Sequence, residues 1–234
     1  MSIWRDIWKE TIRANRIAAE KDDFSEYAVL YKKYGDDGMI HYAQAASYEL
    51  KDDIPNAVAE YKKAEELFRV DHWKKVAENS AARLTQGKTL EQFYNQTIFE
   101  EILWSAFQKI YRLIHLNDFA RYIALSALSR GSSEWPLSLV DFRTVIELEL
   151  KEYFSDIVEQ IEPYTLFTVL KELEAQQKLQ KGILSVLHKI RKAGNIAAHD
   201  LKVYETEKSA NVRNFITALE FFNDFQNQQP RRKR

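Results

Sequence analysis

The chain has 234 residues, of which 34 are basic, 35 acidic and 45% hydrophobic, and it contains no cysteine. Its length and hydrophobic share suffice for one large or two small cores. The balanced charge, which holds in both halves, excludes attraction to nucleic acid by bulk charge and confines any such site to a local patch, while the lack of cysteine excludes disulfides, thiolate metal sites and cysteine nucleophiles. No apolar run approaches the ~18 residues that cross a bilayer. The N-terminal MSIWRDIWKE is charged throughout, unlike a signal peptide, so a cytoplasmic protein with no membrane contact is expected. Six Gly and four Pro leave little room for tight turns, and hairpin signals such as Asn-Gly are absent. The predicted fold class is all-α.

The first 90 residues hold a repeat. KDDFSEYAVLYKKY (21–34) aligns without gaps on KDDIPNAVAEYKKA (51–64) at an offset of 30. Internal similarity at this period signals stacked helical hairpins. Asp22-Asp23 and Asp52-Asp53 are read as turns whose carboxylates cap the second helix of each hairpin. Tyr31 and Tyr61 then fall on equivalent faces and are expected to be buried between hairpins. Within 38–71, Ala45, Tyr48, Ala57, Tyr61 and Ala64 stand at spacings that resemble a tetratricopeptide repeat, with Ala45 in place of that family's Gly and Arg69 in place of its closing Pro. That resemblance implies a helical-hairpin array over 1–88 that docks a protein partner. A plain antiparallel bundle with a chance echo is the alternative.

TQGKT (85–89) ends the array: Gly87 suits a helix C-cap, and Thr89 with Gln92 suits a capping box for the next helix. Connecting helices are expected over 89–130, a long one over 89–116 and a shorter one from Asn117-Asp118 to Ser129. RGSSEWP (130–136) is a loop, and Pro136 sits where a helix begins. A third region, 131–229, is predicted to be a helical bundle: one helix of about seven turns from 137 to 161, ended by Pro163, then helices over 164–178, 181–199 and 208–227. A frayed basic tail, 230–234, closes the chain.

The helix over 181–199 carries the most pointed pattern. Arg191, Asn195 and His199 are each four apart and so share a face, and Lys192, seven before His199, lies near it. The opposite face carries Leu184, Leu187, Ile190 and Ala197 or Ala198. A cation, an amide and an imidazole on one face suit binding and activation of a phosphodiester, and they equally suit an ordinary polar face.

Three stretches in order, DFRTVIELELKEYF (141–154), TLFTVLKELEAQQKL (165–179) and VLHKIRKAGNIAAHD (186–200), followed by NVRNFITALEFFNDF, resemble the HEPN superfamily (higher eukaryotes and prokaryotes nucleotide-binding domains). The likeness is to a bacterial branch of unassigned function often found with restriction, helicase or defence modules. It implies a homodimer and RNA binding or metal-independent endoribonuclease activity, with no cofactor and no metal. In such a reaction the 2′-hydroxyl attacks the adjacent phosphate, an Arg stabilises the charged phosphorane and a His moves a proton. Asn195 and His199 match the Asn-x-x-x-His part of the motif. Gly194 stands where the Arg is expected, Arg191 has seven residues before His199, and Lys192 has six but offers a point charge instead of a fork. The resemblance thus assigns Arg191, Asn195 and His199 to catalysis and Lys192, Arg143 and Glu147 to binding.

Two readings stay open. In the first, Gly194 with Ala193, Ala197 and Ala198 forms a small-residue packing surface, and Asn195 and His199 bond across to Arg143 or Glu147, itself an i, i+4 pair, as a structural network. The protein is then a non-catalytic interaction adaptor. In the second, the same groups line a concave RNA site. His41, His72, His115 and His188 are scattered, with no carboxylates at metal-ligand spacing. His188, four before Lys192, reads as a solvated residue, and the RRKR end as a solubilising tail.

Overall fold

A computed structural model describes residues 3–88, 99–130, 134–199 and 207–228. Among these residues the protein is all α, with twelve helices and no strand. The chain divides into two compact units, 1–114 and 115–234.

The first unit contains α1 (Ile3–Lys21), α2 (Ser25–Tyr34), α3 (Gly38–Leu50), α4 (Ile54–Leu67), α5 (Asp71–Thr85) and α6 (Phe99–Arg112). Helix α3 packs on α1, α4 and α6, and α4 packs on α5. Asp22 and Asp52, thirty apart, both take left-handed conformations, at φ 56° and 60°, which aspartate tolerates better than most residues. The caps differ. The Asp53 carboxylate caps α4, accepting from the Asn56 backbone and side-chain N–H groups at 3.4 and 2.7 Å. Asp23 accepts from Ser25 N, one residue out of that register, and α2 starts at Ser25 without a side-chain cap. The reason is Phe24, non-helical and stacked on Tyr48 at 4.6 Å, where the second hairpin has Ile54 followed by Pro55 in the first turn.

Tyr61 is buried and donates from its hydroxyl to Glu49 Oε2 at 3.1 Å. Tyr31 is half-buried, and Tyr27, one turn earlier, is the fully buried tyrosine of the first hairpin. Ala45, Ala57 and Ala64 are buried and permit close helix approach. A polar network runs through this core. Arg83 Nη2 donates to Glu49 Oε1 at 2.7 Å, Arg112 Nη1 to the same oxygen at 3.2 Å, Arg83 Nε to Gln108 Oε1 at 3.1 Å and Gln108 Nε2 to Ser80 Oγ at 2.7 Å. Helix α5 ends as expected: Gly87 lies at φ 63°, with Lys88 N bonded to Arg83 O and Gly87 N to Leu84 O, the two bonds of a Schellman motif. The Thr89–Gln92 cap lies outside the described residues.

The second unit contains α7 (Asp118–Ser129), α8 (Trp135–Tyr153), α9 (Ser155–Val158), α10 (Leu166–Ala175), α11 (Lys181–His199) and α12 (Lys208–Gln228). The helices grouped in sequence as a connector over 89–130 are divided: α6 packs on α3 in the first unit and α7 on α8 in the second. Asn117 caps α7, accepting from Phe119 N and Ala120 N at 2.9 and 3.2 Å. Helix α8 is central, packing on α7, α11 and α12, with Phe142 stacked on Phe215 at 3.8 Å between ring centres.

The single seven-turn helix expected over 137–161 does not form. Phe154 leaves the helical region at φ −123°, ψ 36°, and a short α9 follows that packs against both α8 and α10. Periodicity misses the break because Leu150, Phe154, Ile157 and Val158 would share one face of a continuous helix, yet the bend buries them all. Helix α10 is shorter than 164–178. It starts at a capping box of Thr165 and Thr168 and ends at Ala175, before Gln177 turns left-handed at φ 54°. The Glu162–Pro163 peptide bond is cis. No helix among the described residues is long and apolar enough to cross a membrane.

Candidate functional site

Helix α11 forms over the residues the sequence predicts, and buries Ile183, Leu184, Leu187, Ile190, Ala193, Gly194 and Ala197. Of the two alanines considered for that face, Ala197 is buried and Ala198 exposed. Gly194 is the point of closest approach to α8: a Cβ there would stand 2.8 Å from Arg143 Cβ and 2.9 Å from the Leu139 carbonyl oxygen. The glycine thus brings the backbone of α11 against α8 beside the Arg143–Glu147 pair, whose Nε–Oε1 distance is 2.9 Å.

The remaining expected residues do not close across this contact. Asn195 is half-buried and His199 exposed, and among the described residues no hydrogen bond joins either of them to Arg143, to Glu147 or to each other. The structural network expected there is not formed. The geometry of α11 explains why. With about 100° per residue, Arg191, Asn195 and His199 centre roughly a quarter-turn round the helix from Gly194, so their stripe flanks the α8 contact.

Other residues meet that stripe. The Arg191 guanidinium lies 5.0 Å from the centre of the Phe167 ring, and Lys171 Nζ lies 4.8 Å from it. The His188 ring is 6.2 Å away. Burial pushes the His188 imidazole below its ordinary value, and Arg191 and Lys192 push it further, against a smaller opposing pull from Glu174. Three residues before Phe167, the Tyr164 ring carries Lys151 Nζ at 4.5 Å. The Tyr164 hydroxyl is held above its usual range by partial burial and by Glu147, with Arg143 opposing. Arg191 and Lys171 thus lie over the exposed Phe167 ring and Lys151 over the exposed Tyr164 ring, while Arg143 is paired with Glu147 and Lys171 shares a cavity wall with Glu162, Glu172 and Glu174. The Nε of Arg191 is buried, and among the described residues it has no hydrogen-bond acceptor.

Sequence reasoning passed over Tyr164, Phe167, Lys151 and Lys171. Two signals were present: Phe167 and Lys171 are an i, i+4 pair, and Lys151 continues the Arg143–Glu147 row by another four. Chemically the face can hold an anion and a flat π system together, and His199 adds an exposed imidazole at one end. No group of three His, Asp or Glu side chains suited to a metal ion occurs among the described residues.

Residues 125–224 match the family described as a domain of unknown function, DUF4145. The match runs from within α7 to within α12, so it spans the Gly194 contact and the whole basic–aromatic face. No curated protein and no solved structure matches the chain.

The first unit holds a second polar cluster. His41, isolated in the sequence, has a carboxylate at each ring nitrogen: Asp36 Oδ1 lies 2.6 Å from Nε2 and Glu60 Oε2 lies 2.5 Å from Nδ1. The Tyr31 hydroxyl, 3.0 Å from Nδ1, donates to Gln44 Oε1 at 2.6 Å. Burial alone would pull the imidazole down, but Glu60 and Asp36 outweigh it and its pKa is raised.

Proposed function

We propose that the second unit is an RNA-binding module of HEPN type, acting in the cytoplasm as a homodimer, and that the helical hairpins of the first unit dock a protein partner in the manner of tetratricopeptide repeats. The observation that carries the reading is the basic–aromatic face of α8, α10 and α11, where Arg191 and Lys171 sit over Phe167 and Lys151 sits over Tyr164. A protein of net charge −1 that concentrates cations around exposed rings has a local surface suited to phosphates and bases. Anisotropy titration of a fluorescent RNA with the full chain tests it. The double variant Arg191→Ala, Lys192→Ala is expected to weaken binding at least about ten-fold, from two phosphate contacts. Equal binding by variant and wild type overturns the assignment. A wild type that binds no RNA but forms a stable complex with a protein partner supports the adaptor reading instead.

A metal-independent endoribonuclease is the second reading, favoured by the exposure of His199 on the Arg191–Asn195 stripe. A ribose 2′-oxygen would attack the adjacent phosphorus, and the 5′-oxygen would leave as an alcohol once protonated, giving a cyclic 2′,3′-phosphate. Arg191 would stabilise the phosphorane, and His199 would transfer the proton. Cleavage in excess EDTA that disappears in His199→Ala, with RNA binding retained, supports this reading. No cleavage by wild type removes it and leaves binding.

A further inference from the structure

We infer that Phe167 is a stacking platform for an unpaired base of the bound RNA, and that Arg191 moves from the ring to the phosphate flanking that base; the inference rests on the RNA-binding reading above. Phe167 lies in the first turn of α10, whose Leu166, Val169, Leu170 and Leu173 are buried. Phe167 itself is 41% exposed. A single exposed phenylalanine is ordinary. Two further observations set this one apart.

The first is Arg191 itself. Its guanidinium lies over the ring, and its Nε has lost water without gaining an acceptor among the described residues. A buried donor left in that state is costly, and a phosphate oxygen is the acceptor that a planar guanidinium binds best. The second is Tyr164, 38% exposed, with Lys151 over its ring as Lys171 is over Phe167. Tyr164 and Phe167 are three positions apart, so their Cα atoms are at most about 11 Å apart. That is a separation one or two nucleotides can span.

Ring faces and cations in alternation are how sequence-tolerant sites hold single strands, with bases on the rings and phosphates on the cations. A duplex keeps the faces of its bases inside its own stack and cannot present them to Phe167. An acidic peptide would satisfy the cations and leave both rings uncovered. The Lys171 contact is exposed and so weak and salt-screened; a base arriving at Phe167 displaces Lys171 readily, and the phosphate beside it offers Arg191 the acceptor that its buried Nε lacks among the described residues.

The test uses the full chain and three labelled ligands of equal length: a single-stranded 12-nucleotide RNA, its perfect duplex, and a single-stranded 12-mer lacking bases at its central positions. Wild type is expected to bind the single strand about ten-fold or more tightly than either of the others. Phe167→Ala is expected to remove most of that preference while binding the abasic strand like wild type. Phe167→Trp is expected to keep it, and Arg191→Ala to weaken all three ligands. A 2-aminopurine in the single strand is expected to be quenched by wild type and by Phe167→Trp but not by Phe167→Ala. If wild type binds all three ligands equally, or Phe167→Ala binds like wild type, the platform is overturned and RNA binding stands. If wild type binds none of them, both fall. Should Phe167→Ala fail to fold, the wild-type comparison of ligands and the Phe167→Trp quenching still decide.

Discussion

His41 has a carboxylate at each ring nitrogen, so both nitrogens must carry protons if neither contact is to set one acceptor against another. The titratable groups facing it come from every neighbouring element: the neutral Tyr31 on α2, Asp36 before α3, and Glu60 with its partner Lys63 on α4. Because the folded pKa is raised, the contribution to stability is fully present below the ordinary imidazole value of 6.5 and is lost as pH rises through the raised value. Glu60 behaves oppositely. Its pKa is lowered, because the bond to His41 and the charge of Lys63 outweigh burial, so its contribution is lost as pH falls through its folded value. Urea unfolding midpoints are expected to drop more between pH 6 and pH 9 in wild type than in His41→Gln. Equal drops would mean that His41 is not the titrating group. Glu49 gives a second expectation at this scale. It is buried against Arg83, itself buried, and removing it strands that cation. Glu49→Ala should cost about 3–5 kcal/mol in a urea melt, and a loss below ~1 kcal/mol would show that water reaches Arg83. Neither cluster was legible in the sequence. The partners of His41 are five before and nineteen after it, and Glu49 meets Arg83 across 34 residues, spacings that only the folded chain brings together.

Among the helices, periodicity and caps read well where local chemistry decides. Helix α11 matches its predicted span, α7 starts at the predicted Asn117-Asp118 break, and Gly87 ends α5. They read poorly where tertiary burial overrides a continuous apolar stripe, as at Phe154. The candidate site was legible along one helix only. Spacing found the Arg191–Asn195–His199 stripe, but periodicity within one helix does not say which neighbour the stripe meets. Gly194 settles that by fixing the α8–α11 approach. Gly194→Ala weighs two opposed effects. Alanine in a helix interior gains about 0.5–1 kcal/mol over glycine. The new Cβ, however, would sit 2.9 Å from the Leu139 carbonyl oxygen and 2.8 Å from Arg143 Cβ, and a backbone oxygen in a helix does not step aside. Overpacking of this kind costs about 1–3 kcal/mol, so a net loss of stability and a displaced Arg143–Glu147 pair are expected. A melt showing Gly194→Ala equal to or more stable than wild type would mean that the two helices are not in close contact.

For the whole molecule, charge distribution matters more than charge total. With 34 basic and 35 acidic residues, the far field is nearly neutral and gives no long-range steering to a polyanion, so any affinity must come from the few cations grouped around Phe167 and Tyr164. This makes the salt dependence of binding a count of those cations. For single strands the logarithm of the binding constant falls with the logarithm of salt concentration at about −0.7 per phosphate neutralised. Lys151, Lys171 and Arg191 lie over the rings and the exposed Lys192 follows Arg191 on α11, whereas Arg143 is held by Glu147. Four contacts imply a slope of about −2.8. Lys192→Ala should lower its magnitude by about 0.7, and Phe167→Ala should weaken binding at every salt concentration without changing the slope, because stacking releases no counterions. A slope near zero in wild type would remove phosphates from the interface. A Phe167→Ala variant that flattened the slope would mean that the ring acts by positioning the cations instead of by holding a base.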